Sequence, residues 1–551
     1  MNLMAGGLPS GMVHDFSNVP KIRNGVGRTS FKSRKTHKTT FNADYLIPVY
    51  IGEALPGDTW VFDMSMLARF SSPLKTTVMD NAYLDVFCFA EPLRILQTNF
   101  PKIFGSEVNP GDSNAIQTPV ISPNTGGWTA LSLEDYFGLP IGIDPLSVVS
   151  YWHRMYNDVW NNFFRDQNLQ NSVVVDRDDG PDTYSDYVLL KRGKRHDYFT
   201  SALPWPQKSD SSVTLPLGTY APVITRSTDI SSFTGPNLSF FNTLTDAKPT
   251  GNRNLGIQGT SGDLVSSADG SVLTADMQYA PANLWSDLQS SAAATINQLR
   301  EAITAQQMYE IDARSGTRFP EFIEAHWGVY NPDSRMQRPE YLGGSSHPIA
   351  LTPIASTAET TSFKQGNLTS VGFTSGRTGF TKSFTEHCAI MVLVNVRADI
   401  TYQNNFIHRM FSRRDRLDFY HPVLDKIGEQ PILTQEIWAD ASTKDTGSTG
   451  TPDNLRTWGY QEAWAEYRYE QNIITGQFRS DHPITLDSWH WAEDFASKPS
   501  LNASFIESNS GTPISRTQAV TTAPHVIFDS VANINKVRIM SAYSVPGLDR
   551  L

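Results

Sequence analysis

Cys388-Ala-Ile-Met-Val-Leu-Val394 is the longest purely apolar run in the chain. It is strand-sized and far below the roughly 20 residues that span a bilayer. Working outward, His387 to Arg397 reads as one extended segment, with Phe380 to Phe384 before it and Asp399 to Tyr402 after it. Tyr83-Leu-Asp-Val-Phe-Cys-Phe89 has the same character, broken only by the charge of Asp85. Tyr45-Leu-Ile-Pro-Val-Tyr-Ile51 is β-rich, and its Pro48 marks an edge strand or a bulge. Leu55-Pro-Gly-Asp58 is a turn, after which Thr59-Trp-Val-Phe62 resumes an extended path. Val526 to Phe528 and Val537 to Met540 close the chain as two more short strands. Short strands with long Gly- and Pro-rich connections predict an antiparallel sandwich carrying large loop excursions.

Two helices interrupt this pattern. Asp144 is a suitable N-cap with Pro145 at the first helical position, and Leu146, Val149, Trp152, Tyr156, Val159, Trp160 and Phe163 form an apolar stripe. A second helix is predicted from Ser286 or Asp287, with Leu288, Ala292, Ile296, Leu299 and Ile303 in its stripe and Gly316 as its stop. Both read as core or interface helices. Residues 205–285 differ in composition, being dominated by Ser, Thr, Gly, Asn, Pro and Asp, and read as an inserted surface excursion.

The chain has 551 residues, of which 39% are hydrophobic, 11% aromatic and 18% charged. Soluble domains average about 25% charged residues, so a charge-poor, aromatic surface points to contact with further copies of the same chain. Cys88 and Cys388 both lie in apolar runs and read as buried thiols. Two cysteines exclude a disulfide framework and a Cys-based zinc site. No apolar signal segment opens the chain, so synthesis in a reducing cytoplasm is expected.

Net charge is −11, which gives no chain-wide basic footprint for nucleic acid. The distribution is uneven. Between Asp15 and Asp44 there is no acidic residue, while Lys21, Arg23, Arg28, Lys32, Arg34, Lys35 and Lys38 carry seven positive charges. With its glycines and hydroxyl residues, the stretch 1–44 reads as a flexible basic arm suited to phosphate backbones. The second charge-dense stretch runs from Arg409 to Asp418. There the alternating signs suggest a salt-bridge lattice, and Arg413, Arg414, Arg416 and Asp418 suit a subunit interface, with nucleic-acid contact as the lesser reading.

Catalytic signatures are missing. No P-loop, dinucleotide fingerprint, H-E-x-x-H, EF-hand loop or nucleophile elbow can be quoted. Trp489-His-Trp-Ala-Glu-Asp494 places carboxylates beside tryptophans and motivates one alternative, a carbohydrate-binding or carbohydrate-active sandwich. The basic arm alone motivates another, a single-stranded DNA-binding module.

Seven strings, taken in order, carry a family resemblance. They are Leu55-Pro-Gly-Asp-Thr59, Met79-Asp-Asn-Ala-Tyr-Leu-Asp-Val-Phe87, Ala202-Leu-Pro-Trp-Pro-Gln207 and Gly316-Thr-Arg-Phe-Pro-Glu321. Gln337-Arg-Pro-Glu-Tyr-Leu-Gly-Gly344, Phe411-Ser-Arg-Arg-Asp-Arg-Leu-Asp-Phe-Tyr420 and Tyr460-Gln-Glu-Ala-Trp-Ala-Glu-Tyr467 follow. Together the chain resembles the major capsid proteins of microviruses, small single-stranded DNA bacteriophages, and the gokushovirus branch in particular. The resemblance implies a mainly β protein built on an eight-stranded antiparallel jelly roll with long insertions and a few helices. The shell domain would then comprise 45–204 and 286–551, with 1–44 as an inner arm and 205–285 as a protrusion at the three-fold axes. It further implies a T=1 shell of sixty copies around circular single-stranded DNA, assembled in the bacterial cytoplasm. The implied partners are an internal scaffolding protein, a DNA pilot protein, a small basic DNA-binding peptide and a host cell-surface receptor, with no membrane insertion. No cofactor is implied beyond unassigned structural cations.

Overall fold

The computed structural model describes residues 27–543 apart from 112–115, 362–363, 400, 404 and, within 209–295, everything outside a few short strand pairs. Contacts divide the chain into a large unit, 1–206 with 313–551, and a smaller one, 207–312. The expected excursion at 205–285 falls mostly outside the described residues.

Nine strands build the two main sheets of the large unit. They are β1 (Arg28–Phe41), β2 (Ile47–Ala54), β3 (Thr59–Phe70), β4 (Ala82–Pro92), β5 (Glu340–Pro348), β6 (Ala350–Ala355), β7 (Leu368–Ser383), β8 (Cys388–Ala398) and β9 (Val526–Ile539). One sheet has the order β1-β9-β3-β7-β6 and the other β5-β4-β8-β2, with every neighbouring pair antiparallel. Strand β6 is a hairpin addition to β7. The other eight strands form two four-stranded sheets whose first and last strands lie side by side, the eight-stranded jelly-roll arrangement.

Strand period explains the core. In β3, Trp60, Phe62, Met64, Met66, Ala68 and Phe70 alternate inward and are buried, while Val61, Ser65, Leu67 and Arg69 face outward. Strand β8 is buried at every position. Its Cys388, Ile390, Val392, Val394 and Val396 fill the space between the sheets. Its Ala389, Met391 and Leu393 pack on the other side against helix α1 (Tyr151–Val159) through Met155, Tyr156 and Val159. Burial on both faces is why this strand reads as a continuous apolar run rather than an alternating one. Strand β2 pairs only with β8, and the register slips by one residue where Val392 meets Tyr50 and Leu393 meets Pro48. Pro48 therefore sits on an edge strand and beside a bulge. Cys88 and Cys388 are free and buried, and burial pushes both thiols up to about 12.

Several sequence expectations need correction. The stretch Arg28–Phe41, expected within a flexible basic arm, is a strand that pairs with β9 along its whole length. Val526–Phe528 and Val537–Ile539 belong to one continuous strand, with Met540 just beyond its end. Between them Asp529, Asn533 and Asn535 face outward while Ser530, Ala532 and Ile534 turn inward and are buried, so the strand continues without an apolar run. Tyr402 makes a single bridge to Glu493 instead of belonging to a strand. Helix α1 starts after Ser150, not at Asp144, because Val148 and Val149 spend their backbone groups pairing with Val120 and Ile121. The second helix, α2, is described from Ile296 to Arg314, and its Leu299 and Ile303 are exposed, so this stripe does not enter a core within the chain.

Ile390 has 0% exposure between the sheets. Ile390→Ala is expected to lower stability by about 2–5 kcal/mol, seen as a lower urea midpoint at unchanged slope. A loss below about 1 kcal/mol would contradict this packing. A second prediction concerns the wholly buried Glu91 on β4. Burial, and then the neighbouring Asp158 carboxylate, push its carboxyl well above the ordinary range. A carboxyl raised in the folded state favours the protonated fold, so its contribution falls as pH rises above its unfolded value of roughly 4.3. Glu91→Gln is expected to raise the urea midpoint more at pH 8 than at pH 5. Equal gains at both pH values would refute the assignment.

Candidate nucleic-acid interface

The basic stretch is sorted by the two-residue period of β1. Arg28, Lys32, Arg34 and Lys38 lie on its outward face, spread over ten residues or roughly 33 Å at strand rise. Lys35 falls on the opposite face, its ammonium 5.0 Å from the centre of the Tyr50 ring. His37, also on that face, contacts the Val49 carbonyl at 2.9 Å. Lys21 and Arg23 lie outside the described residues. So five of the seven predicted phosphate-binding residues are placed, and four of them share a face.

Neighbouring strands enlarge that face. Register aligns Lys32 with Asn535, Arg34 with Asn533 and Lys38 with Asp529 on β9. Beyond them lie Val61, Asp63, Ser65, Leu67 and Arg69 on β3, then Phe373 and Arg377 on β7. Lys38 Nζ reaches Asp529 at 2.5 Å, and Arg377 clasps Asp63 through two guanidinium nitrogens. Arg28 donates to the Gly57 carbonyl and, at 3.2 Å, to Thr59 Oγ1. Among the described residues, this sheet face holds six cations against two carboxylates. Val61, Leu67 and Phe373 between them are each nearly half exposed. Cationic rows interleaved with apolar and aromatic side chains suit a single nucleic-acid strand. Arg69 and Arg377 were missed in the sequence, where the alternation of Ser65, Leu67 and Arg69 was the available signal.

The second charged run has divided roles. Arg413 pairs with the buried Glu466 at 3.1 Å and covers the Tyr467 ring at 4.2 Å. Arg409 joins the same lattice through Glu436 and Glu466. Asp418 accepts backbone N–H groups of Arg414 and Asp415 at 2.8 and 2.9 Å, which hold its carboxyl below the usual range. Arg414 and Arg416 stay exposed beside Phe411, Leu417 and Val423, each more than 70% exposed.

The carbohydrate reading fails on geometry. Trp491 is buried in the sandwich core, its Nε1 donating to Thr517 Oγ1 at 2.9 Å. His490 is buried, contacts the Phe478 carbonyl and accepts the Ala492 N–H, and burial pulls it below its ordinary value. Glu493 is locked to Lys194 at 2.5 Å. With Trp491 and His490 both buried, the two rings do not form an exposed sugar platform, and only Asp494 of this stretch is exposed. Among the described residues, no group of three or more His, Cys, Asp or Glu is placed to hold a metal ion, and no helix is long and apolar enough to cross a membrane.

Comparison with known proteins agrees with this frame. The profile of the family described as "Capsid protein (F protein)" matches residues 17–548. Capsid protein VP1 of Bdellovibrio phage phiMH2K is 39% identical over 541 residues, covering 97% of each chain. Capsid protein VP1 of Chlamydia phage 1 is 36% identical over 99% of each, and that of Spiroplasma virus 4 is 34% identical over 98% of each. A jelly roll of this kind is thus matched along nearly its whole length by phage shell proteins, and the chain belongs to the phage capsid-protein (F protein) family as a structural protein of the virion.

Proposed function

We propose that sixty copies of this chain close into a T=1 icosahedral shell around a circular single-stranded DNA genome, with the outer face of the five-stranded sheet turned toward the DNA. The observation that carries this reading is charge segregation. A chain of net charge −11 gathers six cations and only two carboxylates on one exposed sheet face. Arg414 and Arg416, with the exposed Phe411 and Leu417, are the proposed contacts between copies, since large exposed side chains of this kind are buried in stable assemblies. The segment 205–285 is proposed as the protrusion that meets a host cell-surface receptor.

Charge also argues for further partners. Sixty windows of +7 supply +420, whereas sixty whole chains carry −660. Such a shell does not neutralise a genome of thousands of phosphates by itself. A small basic peptide and metal or polyamine cations are therefore proposed inside the particle. An internal scaffolding protein and a DNA pilot protein during assembly are carried by the family resemblance.

The test is the double variant Lys32→Gln/Arg34→Gln. Particles are expected to form, with reduced DNA content. In oligonucleotide binding, the slope of log affinity against log salt should fall in magnitude by about 1.4, at about 0.7 per lost phosphate contact. An unchanged slope with full DNA content would refute the placement of DNA on this face.

A further inference from the structure

Three segments of the large unit meet beside the end of β8. Lys194 donates its backbone N–H to the Ile506 carbonyl at 2.8 Å, and Ser508 donates its own to the Arg192 carbonyl at 2.9 Å. These bonds lay 192–194 antiparallel beside 506–508. Glu493 is held by its N–H to the Thr401 carbonyl at 2.9 Å. Asn509 is clamped from both sides, because Ser508 Oγ at 2.5 Å and the Ser510 N–H at 3.1 Å both donate to Oδ1 of the buried Asp44. Lys194, Glu493 and Asn509 thereby line one small pocket of about 20 Å³, with Arg397 and Ala398 of β8 in its wall.

Their side chains touch in series. Lys194 Nζ lies 2.5 Å from Glu493 Oε2, and the lysine side chain is 4% exposed. Among the described residues this nitrogen has no aligned hydrogen-bond acceptor, so the buried ammonium is only partly satisfied. Aromatic rings enclose it, Phe505 at 4.4 Å, Phe495 at 5.5 Å and Tyr402 at 5.6 Å. The other oxygen of the same carboxylate, Oε1, accepts from Asn509 Nδ2 at 3.4 Å. Asn509 Oδ1 in turn accepts from Thr512 Oγ1 at 2.9 Å. An ion pair alone explains Lys194 and Glu493. It does not explain a carboxamide turned with its nitrogen to the acid and its oxygen to a hydroxyl donor. That arrangement puts an amine, a proton carrier and a polarised carbonyl side by side, the parts of an acyl transfer.

We infer that Lys194 and Asn509 become joined by an intramolecular isopeptide bond, with Glu493 as general base and acid. Glu493 takes a proton from the Lys194 ammonium, and the freed amine attacks Asn509 Cγ. The oxygen charge of the tetrahedral intermediate develops at the Thr512 hydroxyl. Glu493 gives its proton to Nδ2 and takes one from the attacking nitrogen. The Cγ–Nδ2 bond breaks, ammonia leaves, and the Nζ–Cγ amide remains beside a protonated Glu493. No oxidant, metal or cosubstrate enters the balance. The pocket has room for about one water-sized molecule, and ammonia is of that size. The bond replaces a buried charged pair by a neutral amide. It also ties together two segments remote in sequence, which restricts the unfolded chain as a disulfide does. It forms irrespective of which sheet face meets DNA.

Tryptic digestion of the purified full-length chain after denaturation, followed by tandem mass spectrometry, tests the bond. The digest is expected to contain one branched peptide joining Lys194 to Asn509, lighter by one ammonia than its two arms together. Lys194→Arg keeps a cation beside Glu493 but cannot form the amide, and Glu493→Gln removes the base. Both variants are expected to release the two arms as separate linear peptides and to regain the missing ammonia. If either variant does not fold, the digest of the native chain decides alone. Separate linear peptides of full mass from the native chain overturn the bond and leave Lys194 and Glu493 as a structural ion pair. A branch that has lost water and joins Lys194 to Glu493 also overturns it, because the carboxylate is then the acyl donor and not the proton carrier.

Discussion

Everything in the large unit is organised around the burial of β8 on both faces. One face of this strand closes the space between the sheets, and the other receives α1. No polar residue is tolerated along its first seven positions, because neither side reaches water. Where polarity returns, the Asn395 amide nitrogen donates to the Tyr45 carbonyl at 3.0 Å. Arg397 then meets Asp85, one strand over on β4. The same strand that anchors the core thus ends, at Arg397 and Ala398, in the wall of the pocket shared by Lys194, Glu493 and Asn509, so that pocket's geometry is as fixed as the core itself.

The basic N-terminal stretch illustrates how one segment serves two ends. As an edge strand it completes the five-stranded sheet through β9. Charged side chains on an edge also deter pairing with foreign strands. Because a strand shows alternate residues to opposite faces, Arg28, Lys32, Arg34 and Lys38 are aligned without any dedicated binding motif. The same rule sends Lys35 to the other side, onto Tyr50.

Legibility in the sequence followed the source of each signal. Strands β2, β4 and β8 were visible because their apolar runs are dense and local. Pro48 announced both the edge and the bulge, since proline lacks the N–H that an interior ladder needs. Strand β1 was read as a flexible arm because only its pairing with residues some 500 positions away makes it a strand. The helix start was misplaced at Asp144 because a cap signal says nothing about a competing strand pair at Val148 and Val149. Trp489-His-Trp491 looked like a surface platform, and only packing against Phe70 revealed Trp491 as core.

The sequence by itself determined the antiparallel β class, the buried free thiols, the absence of catalytic motifs, the family and the charged row at the start of the chain. These depend on residue type and short-range spacing. Tertiary structure alone decided which basic residues share a face and which carboxylates neutralise them. It also decided that Lys194, Arg397, Glu493 and Asn509 meet around one pocket. The reason is that register and sheet order join segments hundreds of residues apart. Which lysine faces which carboxylate and which carboxamide is a property of that three-dimensional neighbourhood, not of any string of residues.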